Sequence, residues 1–210
     1  MRILSAAIGA AKRMKLLLYL VAFMYLASYV TGWYLISSGS PVAFEMRQQI
    51  SQSVLTQQPF TSVIGFLRQG MLIHAILMTF LVNLVMGAFL STTLPGVVPL
   101  IGALGPIGTT LMRGFAIGVT YPEVLAASPF SFLLGIGTMM LELSAYVFSA
   151  AAGINIALAP ALPSRHGTRS RWTALKMAWI DAAKVFVIVA LLLALGAVWE
   201  MTLLYFAIPR

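Results

Sequence analysis

The sequence contains no cysteine, and only 9% of its 210 residues are charged. The absence of cysteine excludes disulfide bonds and any thiolate nucleophile or ligand. A soluble domain carries roughly 25% charged residues, so the scarcity of charge excludes a water-facing surface over most of the chain. Instead, 60% of the residues are hydrophobic and the mean hydropathy is +0.97. These values predict an integral membrane protein with one transmembrane domain over residues 1–210.

Acidic residues are particularly few, with five Asp and Glu against thirteen Lys and Arg and a net charge of +8. Such a balance can indicate nucleic-acid binding. Here, however, the basic residues lie beside apolar stretches, where a membrane protein meets anionic lipid headgroups. We therefore expect the lipid bilayer as a partner, with anionic headgroups at the basic segments, and no nucleic acid.

Motifs of known enzymes and cofactor sites are also absent from the sequence. It contains neither H-E-x-x-H nor G-x-S-x-G, and Gly102, Gly105 and Gly108 do not form G-x-G-x-x-G. His74 lies near the end of an apolar stretch and His166 lies among arginines, settings that do not suit a metal ligand. We expect no catalytic residue, no metal site and no cofactor.

Five apolar stretches are long enough for membrane-spanning helices, which need about 20 residues. The expected spans are 16–37, 71–94, a broken third element within 95–121, 129–159 and about 177–206. The first has the charged start of a signal peptide, but its apolar run is longer than a signal sequence requires, so we interpret it as an uncleaved span. The predicted fold is an all-α polytopic helical bundle.

The third element is interrupted by Pro95, Pro99 and Pro106. Proline removes a backbone donor, and freed backbone groups at membrane depth need partners in protein or in a water-lined cavity. We expect a re-entrant apolar hairpin or half-helix over 95–108, followed by a helix that starts near 108–110. One kinked span over 97–119 is the alternative.

Two segments outside the spans set the expected orientation. Residues 1–15 and 161–176 are basic, whereas the opposite side would hold Arg47, Arg68 and Arg210. Positive charge is retained in the cytoplasm, which predicts a multi-pass plasma-membrane protein with a cytoplasmic N-terminus and an outside C-terminus.

The segment 38–70 is the most polar part of the sequence and would lie outside the cytoplasm. Within 42–58, Val42, Met46, Ile50 and Val54 recur at fourfold spacing. This spacing indicates an amphipathic helix on the membrane surface or over the bundle, or an ordinary connecting helix.

Arg113 is the only charged residue between Arg68 and Glu123. It either extends towards the membrane surface or pairs with a buried acid. Glu142, thirteen residues after Pro129, would lie near the midplane of the bilayer, so we expect an Arg113–Glu142 contact. Without that partner, Glu142 would be neutral.

Other polar residues within the spans suggest local roles. Asn83 suits a hydrogen bond between helices, and Glu200 lies near the outer end of the last span. Asp181 and Lys184 are three residues apart, which predicts a local ion pair. Gly114-x-x-x-Gly118 is a small-residue face for close helix packing, either within the bundle or in a homo-oligomer, and Gly135, Gly137 and Gly153 suit the same purpose.

Several short motifs follow one another between residues 70 and 205: Asn83-x-x-x-Gly87, Arg113-Gly114-x-x-x-Gly118, Leu141-Glu142-Leu143 with Ala145, Gly153 before Pro160, and Trp199-Glu200. Their order resembles the stage II sporulation protein M family of small polytopic membrane proteins. The resemblance implies Asn83, Gly87, Gly114, Gly118, Glu142 and Glu200 as family-typical positions. Family members often have Asn where Arg113 stands, and a His-Gly pair near Gly137-Thr138, so no His-dependent role is carried over.

For the sporulation member, the resemblance implies a role in organising partner proteins at a membrane. We therefore expect a non-enzymatic membrane scaffold or assembly factor with membrane-protein partners. The alternative is an ion channel or proton-coupled small-solute carrier that uses Arg113 and Glu142, because broken helices beside buried charges line transport sites.

Overall fold

The computed structural model describes residues 2–207, apart from the side chains of Val54 and Leu55. Arg210 and the Val54 side chain, both used in the predictions above, therefore lie outside the described part. Within it the chain is helical, without β-strands. The helices are α1 Arg2–Arg13, α2 Lys15–Ser37, α3 Pro41–Thr56, α4 Phe60–Arg68, α5 Leu72–Leu81, α6 Leu104–Ala127, α7 Pro129–Leu158 and α8 Arg171–Ala207.

Four stretches are long and apolar enough to cross a membrane. They are Lys15–Ser37, Leu72–Val97, Pro129–Leu158 and Arg171–Ala207. α6 has 24 residues, which is also sufficient length, but it carries Arg113 and Glu123 and is not one of the four. The predicted all-α fold is confirmed for the described residues, with four helices long and apolar enough to span a membrane, whereas the count of five spans and the re-entrant segment stay predictions.

α8 begins at Arg171, six residues before the predicted start of the last span. The first residues are polar, so an apolar-run criterion misses them. Ser170 starts the helix, since its Oγ accepts a hydrogen bond from the Thr173 backbone N at 3.3 Å. Ser128 begins α7 in the same way by accepting a bond from Ser131 N at 3.0 Å, and Pro129 occupies the first turn.

The helices approach one another closely because their contact faces carry small residues. A Cβ added at Gly118 would lie 2.2 Å from the carbonyl oxygen of Tyr29, and one at Gly114 would lie 2.8 Å from that of Tyr25. The small-residue face of α6 therefore packs against α2 within the chain. Fully buried alanines, including Ala145, extend the same close packing to the contacts of α7.

The Pro/Gly-rich segment joins α5 to α6. α5 continues as a π-helical segment, Val82–Thr93, and then as two 3₁₀ turns, Leu94–Val97 and Ile101–Ala103. Leu100, between the turns, has φ 62° and ψ −63°, a γ-turn conformation that an L-residue adopts at a cost. Its N donates to the Ala157 carbonyl oxygen at 2.9 Å. The segment is thereby fixed to the end of α7.

α6 begins at Leu104, earlier than the predicted start near 108–110. Pro106 is compatible with this start because it occupies the third helical position, where a backbone N–H has no partner within the helix. Because Pro106 was expected to precede the helix, the predicted start of α6 lay too late in the sequence.

The remaining helices lie at the two ends of the bundle. α1 packs against α8 near the loop that contains the 3₁₀ turn Pro163–His166, and we call this the basic end. α3 and α4 pack against α6, α5 and α8 at the opposite end. Ala43 of α3 is fully buried, whereas Val42 and Met46 of the predicted apolar stripe are exposed.

Candidate functional site

The four predicted polar residues meet in the interior of the bundle. Asn83 comes from the π-helical segment, Arg113 from α6, Glu142 from α7 and Glu200 from α8. Glu142 lines two cavities. One, of about 280 Å³, is also lined by Asn83 and Glu200, and the other, of about 130 Å³, is also lined by Arg113 and Tyr146.

Arg113 is held by the π-helical segment and by α7. Its Nη2 donates to the Gly87 carbonyl oxygen and to Ser91 Oγ, both at 3.0 Å. Its guanidinium carbon lies 4.0 Å from the centroid of the Tyr146 ring, within cation–π range. Arg113 therefore faces the interior of the bundle rather than extending to the membrane surface.

The expected Arg113–Glu142 ion pair does not form between these two described residues. Glu142 Oε1 instead accepts a hydrogen bond of 2.6 Å from Asn83 Nδ2. The prediction was wrong because the π-helical segment supplies two acceptors for Arg113 Nη2 and a donor for the Glu142 carboxylate. Arg113 and Glu142 each bond to that segment instead of to each other.

Gly87 makes the arginine contact possible. A Cβ at this position would lie 2.8 Å from Tyr146 Oη, so a side chain would displace the ring on which Arg113 stacks. Sequence reasoning missed Tyr146 and Ser91. The signal for Tyr146 was its spacing, since residues four apart on a helix share a face and Tyr146 follows Glu142 by four.

The π-helical segment is unusually long for its type, because π-helix mostly occurs as single turns. Hydroxyl side chains compensate for its wide turns. Thr92 Oγ1 donates to the Ala88 carbonyl oxygen at 2.5 Å and lies 2.8 Å from Ser149 Oγ, and Thr93 Oγ1 donates to the Ser149 carbonyl oxygen at 3.0 Å. Such bonds satisfy backbone groups that a membrane interior leaves without water.

Two buried polar atoms at the 130 Å³ cavity have no hydrogen-bond partner within the part of the chain that the structure describes. They are Arg113 Nη1 and Thr138 Oγ1. A cavity of this size has room for water, which needs only about 10–15 Å³. Within residues 2–207, no group of three or more His, Asp or Glu residues could hold a metal ion.

A second polar cluster lies at the basic end. Arg13 donates from Nε to Asp181 Oδ2 at 2.9 Å and from Nη2 to Asp181 Oδ1. The predicted Asp181–Lys184 pair is therefore wrong, because α1 supplies Asp181 with a bidentate partner. The hydrogen bond to Asp181 raises the pKa of Arg13, whereas burial lowers the pKa of His166. Arg13, His166 and Asp181 line one cavity at the basic end.

A sequence model of the family described as stage II sporulation protein M matches residues 20–203. The chain belongs to this family. The match includes every residue of the interior polar cluster and confirms the resemblance seen in the sequence motifs. As a member of the stage II sporulation protein M family with several helices capable of crossing the bilayer, the chain is a membrane protein. No curated protein and no solved structure matches it.

Proposed function

We propose that the protein is a non-enzymatic membrane scaffold that holds partner membrane proteins. The observation that carries this proposal is that the interior polar residues bind to one another and to neighbouring helices. Arg113, Asn83 and Glu142 join three elements of the bundle through side-chain contacts. A polar network of this kind fixes one arrangement of helices, which suits a rigid support.

The proposed topology has five crossings: α2, Leu72–Val97, α6, α7 and α8. Arg13 and Asp181 meet at the basic end, which supports placing the N-terminal helix and residues 161–176 on one side of the membrane. The concentration of Lys and Arg there favours the cytoplasmic side. The C-terminus would then lie outside.

The absence of cysteine permits a direct test of this orientation. Gln52→Cys on α3 and Arg169→Cys in the basic loop introduce single thiols at exposed positions. In intact cells, a membrane-impermeant maleimide should label Gln52→Cys, whereas Arg169→Cys should require permeabilised cells. The reverse pattern would overturn the proposed orientation.

The end opposite the basic end offers a surface for partners. α3 is anchored there by Ala43 and by an ion pair between Arg47 and Glu123. Its other face exposes polar side chains, including Gln48 and Gln52. We call this exposed surface of α3 the platform, and we propose that it contacts membrane-protein partners.

Co-purification from native membranes tests the scaffold. The wild type should retain specific membrane proteins, and Gln48→Arg combined with Gln52→Arg should release them by adding charge to the platform. Arg169→Gln, an exposed change at the basic end, is the matched control and should retain them. If no membrane protein co-purifies with the wild type, or if the control releases partners equally, the platform has no such role.

A homo-oligomer is also proposed, but with a different interface from the predicted glycine face. Gly114 and Gly118 pack against α2, so they are not available to a second copy. Mass photometry of the detergent-solubilised protein would measure its oligomeric state directly. Gly65→Ala on α4, a change at an open surface, serves as the control. A monomer at all concentrations would contradict the proposal.

A carrier is the second candidate, and the cavity shared by Glu142 and Glu200 favours it. Two carboxyl groups and the Asn83 amide face one space of about 280 Å³ between α4, α5, the π-helical segment, α7 and α8. Intramembrane acids of this kind occur in proton relays.

Flux measurements separate the two functions. Liposomes containing the wild type, Glu142→Gln or Glu45→Gln are loaded with a pH-sensitive dye and given an ion gradient. Glu45 is an exposed glutamate of α3 and provides the matched control. Flux that Glu142→Gln abolishes and Glu45→Gln preserves would replace the scaffold with the carrier, whereas absence of flux in the wild type would reject the carrier.

A further inference from the structure

The basic end contains a cavity of about 400 Å³ whose positive charges outnumber the negative charges of the described residues that line it. Four elements contribute to it: Arg13 comes from α1, Asn155 from α7, Arg165 and His166 from the connecting 3₁₀ turn, and Asp181 and Lys184 from α8. None of these contributions depends on the interior polar cluster or on the scaffold proposal.

The cavity has an excess of unpaired positive charge. Asp181 is already bound by Arg13, which neutralises one positive and one negative charge. Among the described residues, Arg165 and Lys184 form neither an ion pair nor a side-chain hydrogen bond. Two full positive charges therefore face the cavity without a counter-charge from the protein. An anion that enters the cavity would find two cationic donors already in place.

Asn155 provides an independent indication of a ligand. It is only 5% exposed and lines the cavity, yet its Nδ2 has no hydrogen-bond partner among residues 2–207. A buried amide donor without a partner costs roughly 1–3 kcal/mol, so buried donors are normally satisfied. An acceptor oxygen inside the cavity would satisfy this donor. The required ligand is thus an anion with several acceptor oxygens.

The surroundings of the cavity also indicate where the ligand comes from. Met177 and Ile180 of α8 line it and are 40% and 43% exposed. They lie on the membrane-crossing helix α8, between its N-terminus and Lys184, so exposed apolar surface borders the cavity. Basic pockets at the ends of membrane helices suit phosphate-bearing lipid headgroups in both charge and position. A free phosphate compound has the same oxygen chemistry but would gain nothing from the apolar residues.

We propose that this cavity is a binding site for a phosphate group, in which Arg165 and Lys184 bind the phosphate oxygens and Asn155 Nδ2 donates to one of them. The ligand is an anionic phospholipid headgroup or a soluble phosphate compound. Arg13 and Asp181 shape the cavity by holding α1 against α8. Bound lipid would thereby connect α1, α7, α8 and the basic loop.

Binding is measured with the purified full-length protein in a neutral detergent. Short-chain phosphatidylglycerol, short-chain phosphatidylcholine and inorganic phosphate are titrated separately, and the change in thermal unfolding midpoint gives each Kd. Stabilisation by phosphatidylglycerol alone identifies a lipid ligand. Equal stabilisation by inorganic phosphate identifies a soluble phosphate compound, and both results support the site.

The variant Arg165→Gln with Lys184→Gln tests the assignment, with Arg169→Gln as the control from the same loop. The double variant should raise the Kd about thirtyfold, because each basic residue near a membrane surface contributes a factor of roughly five. Arg169→Gln should change the Kd less than about threefold, since Arg169 does not line the cavity. Asn155→Leu, which removes the buried donor, should also weaken binding.

Three results would overturn the proposal. They are the absence of stabilisation by either phosphate source, an unchanged Kd in the double variant, and a loss of affinity in Arg169→Gln equal to that in the double variant. The last result would mean diffuse attraction of the whole loop to anionic surfaces. A double variant that fails to fold would show as loss of the unfolding transition without ligand, and the single variant Arg165→Gln, exposed in the loop, then decides the question with an expected fivefold rise.

Discussion

Replacing Gly153 with alanine should destabilise the bundle strongly, although alanine is the better helix former. A Cβ at Gly153 would lie 2.0 Å from the carbonyl oxygen of Thr92. Carbon–oxygen contacts in proteins normally lie at about 3.3–3.6 Å, so α7 and the π-helical segment would need to separate by about 1.3 Å. The facing atom belongs to the backbone and cannot move aside as a flexible side chain could.

Overpacking of this kind costs about 1–3 kcal/mol, against a gain of about 1 kcal/mol from replacing glycine in a helix. The separation would also disturb Gly96, whose own added Cβ would lie 2.2 Å from the Gly153 carbonyl oxygen. We therefore expect a free energy of unfolding up to about 2 kcal/mol below that of the wild type.

Gly108→Ala is the matched control, because no atom lies within 4 Å of an added Cβ in α6. It should stabilise the protein by about 0.5–1 kcal/mol. Unfolding by sodium dodecyl sulfate in mixed micelles, followed by circular dichroism, measures both variants against the wild type. If Gly153→Ala is as stable as Gly108→Ala, the close approach of α7 to the π-helical segment is refuted.

Three further predictions concern the polar clusters. Alanine substitutions of Asn83 and Glu142 should couple by about 1 kcal/mol in a double-mutant cycle of unfolding free energies, and strict additivity would exclude their hydrogen bond. Arg13→Gln should lower the midpoint of thermal unfolding more than Asp181→Asn does. The first variant leaves the buried carboxylate of Asp181 unpaired, whereas the second leaves the guanidinium of Arg13, which is half-exposed. The opposite order of midpoints would contradict this prediction. Burial lowers the pKa of His166, so the unfolded chain binds the proton more tightly than the folded chain does. The free energy of unfolding should therefore fall as the pH drops through about 6.5. His166→Gln should flatten this dependence, and an unchanged pH profile in that variant would contradict the prediction.

Composition and apolar runs predicted the membrane class and most of the long helices, since both follow from burying side chains in lipid. The predicted limits of the helix at 129–159 agree with α7, because Ser128 and Pro129 mark its start chemically. The start of α8 could not be obtained from hydropathy, because its first two turns carry Arg171 and Lys176 and lie beyond the apolar run.

The polar residues of the interior were identifiable from their rarity, but their partners were not. Partner choice depends on how each helix is rotated about its axis, and Val82–Thr93 has wide turns that alter the usual 3.6-residue periodicity. Asn83 and Ser91 both face the bundle, so Glu142 and Arg113 each bond to this segment rather than to one another. Nothing in the sequence "VNLVMGAFLSTT" marks the change of helix type.

The contact between Arg13 and Asp181 joins residues 168 positions apart along the chain. During synthesis, Arg13 therefore emerges long before its partner, and the bundle cannot close until α8 has been inserted. Until then Arg13 lacks the carboxylate with which it pairs in the folded bundle. Because α8 is translated after α1, the packing of α1 is completed only when α8 is in place.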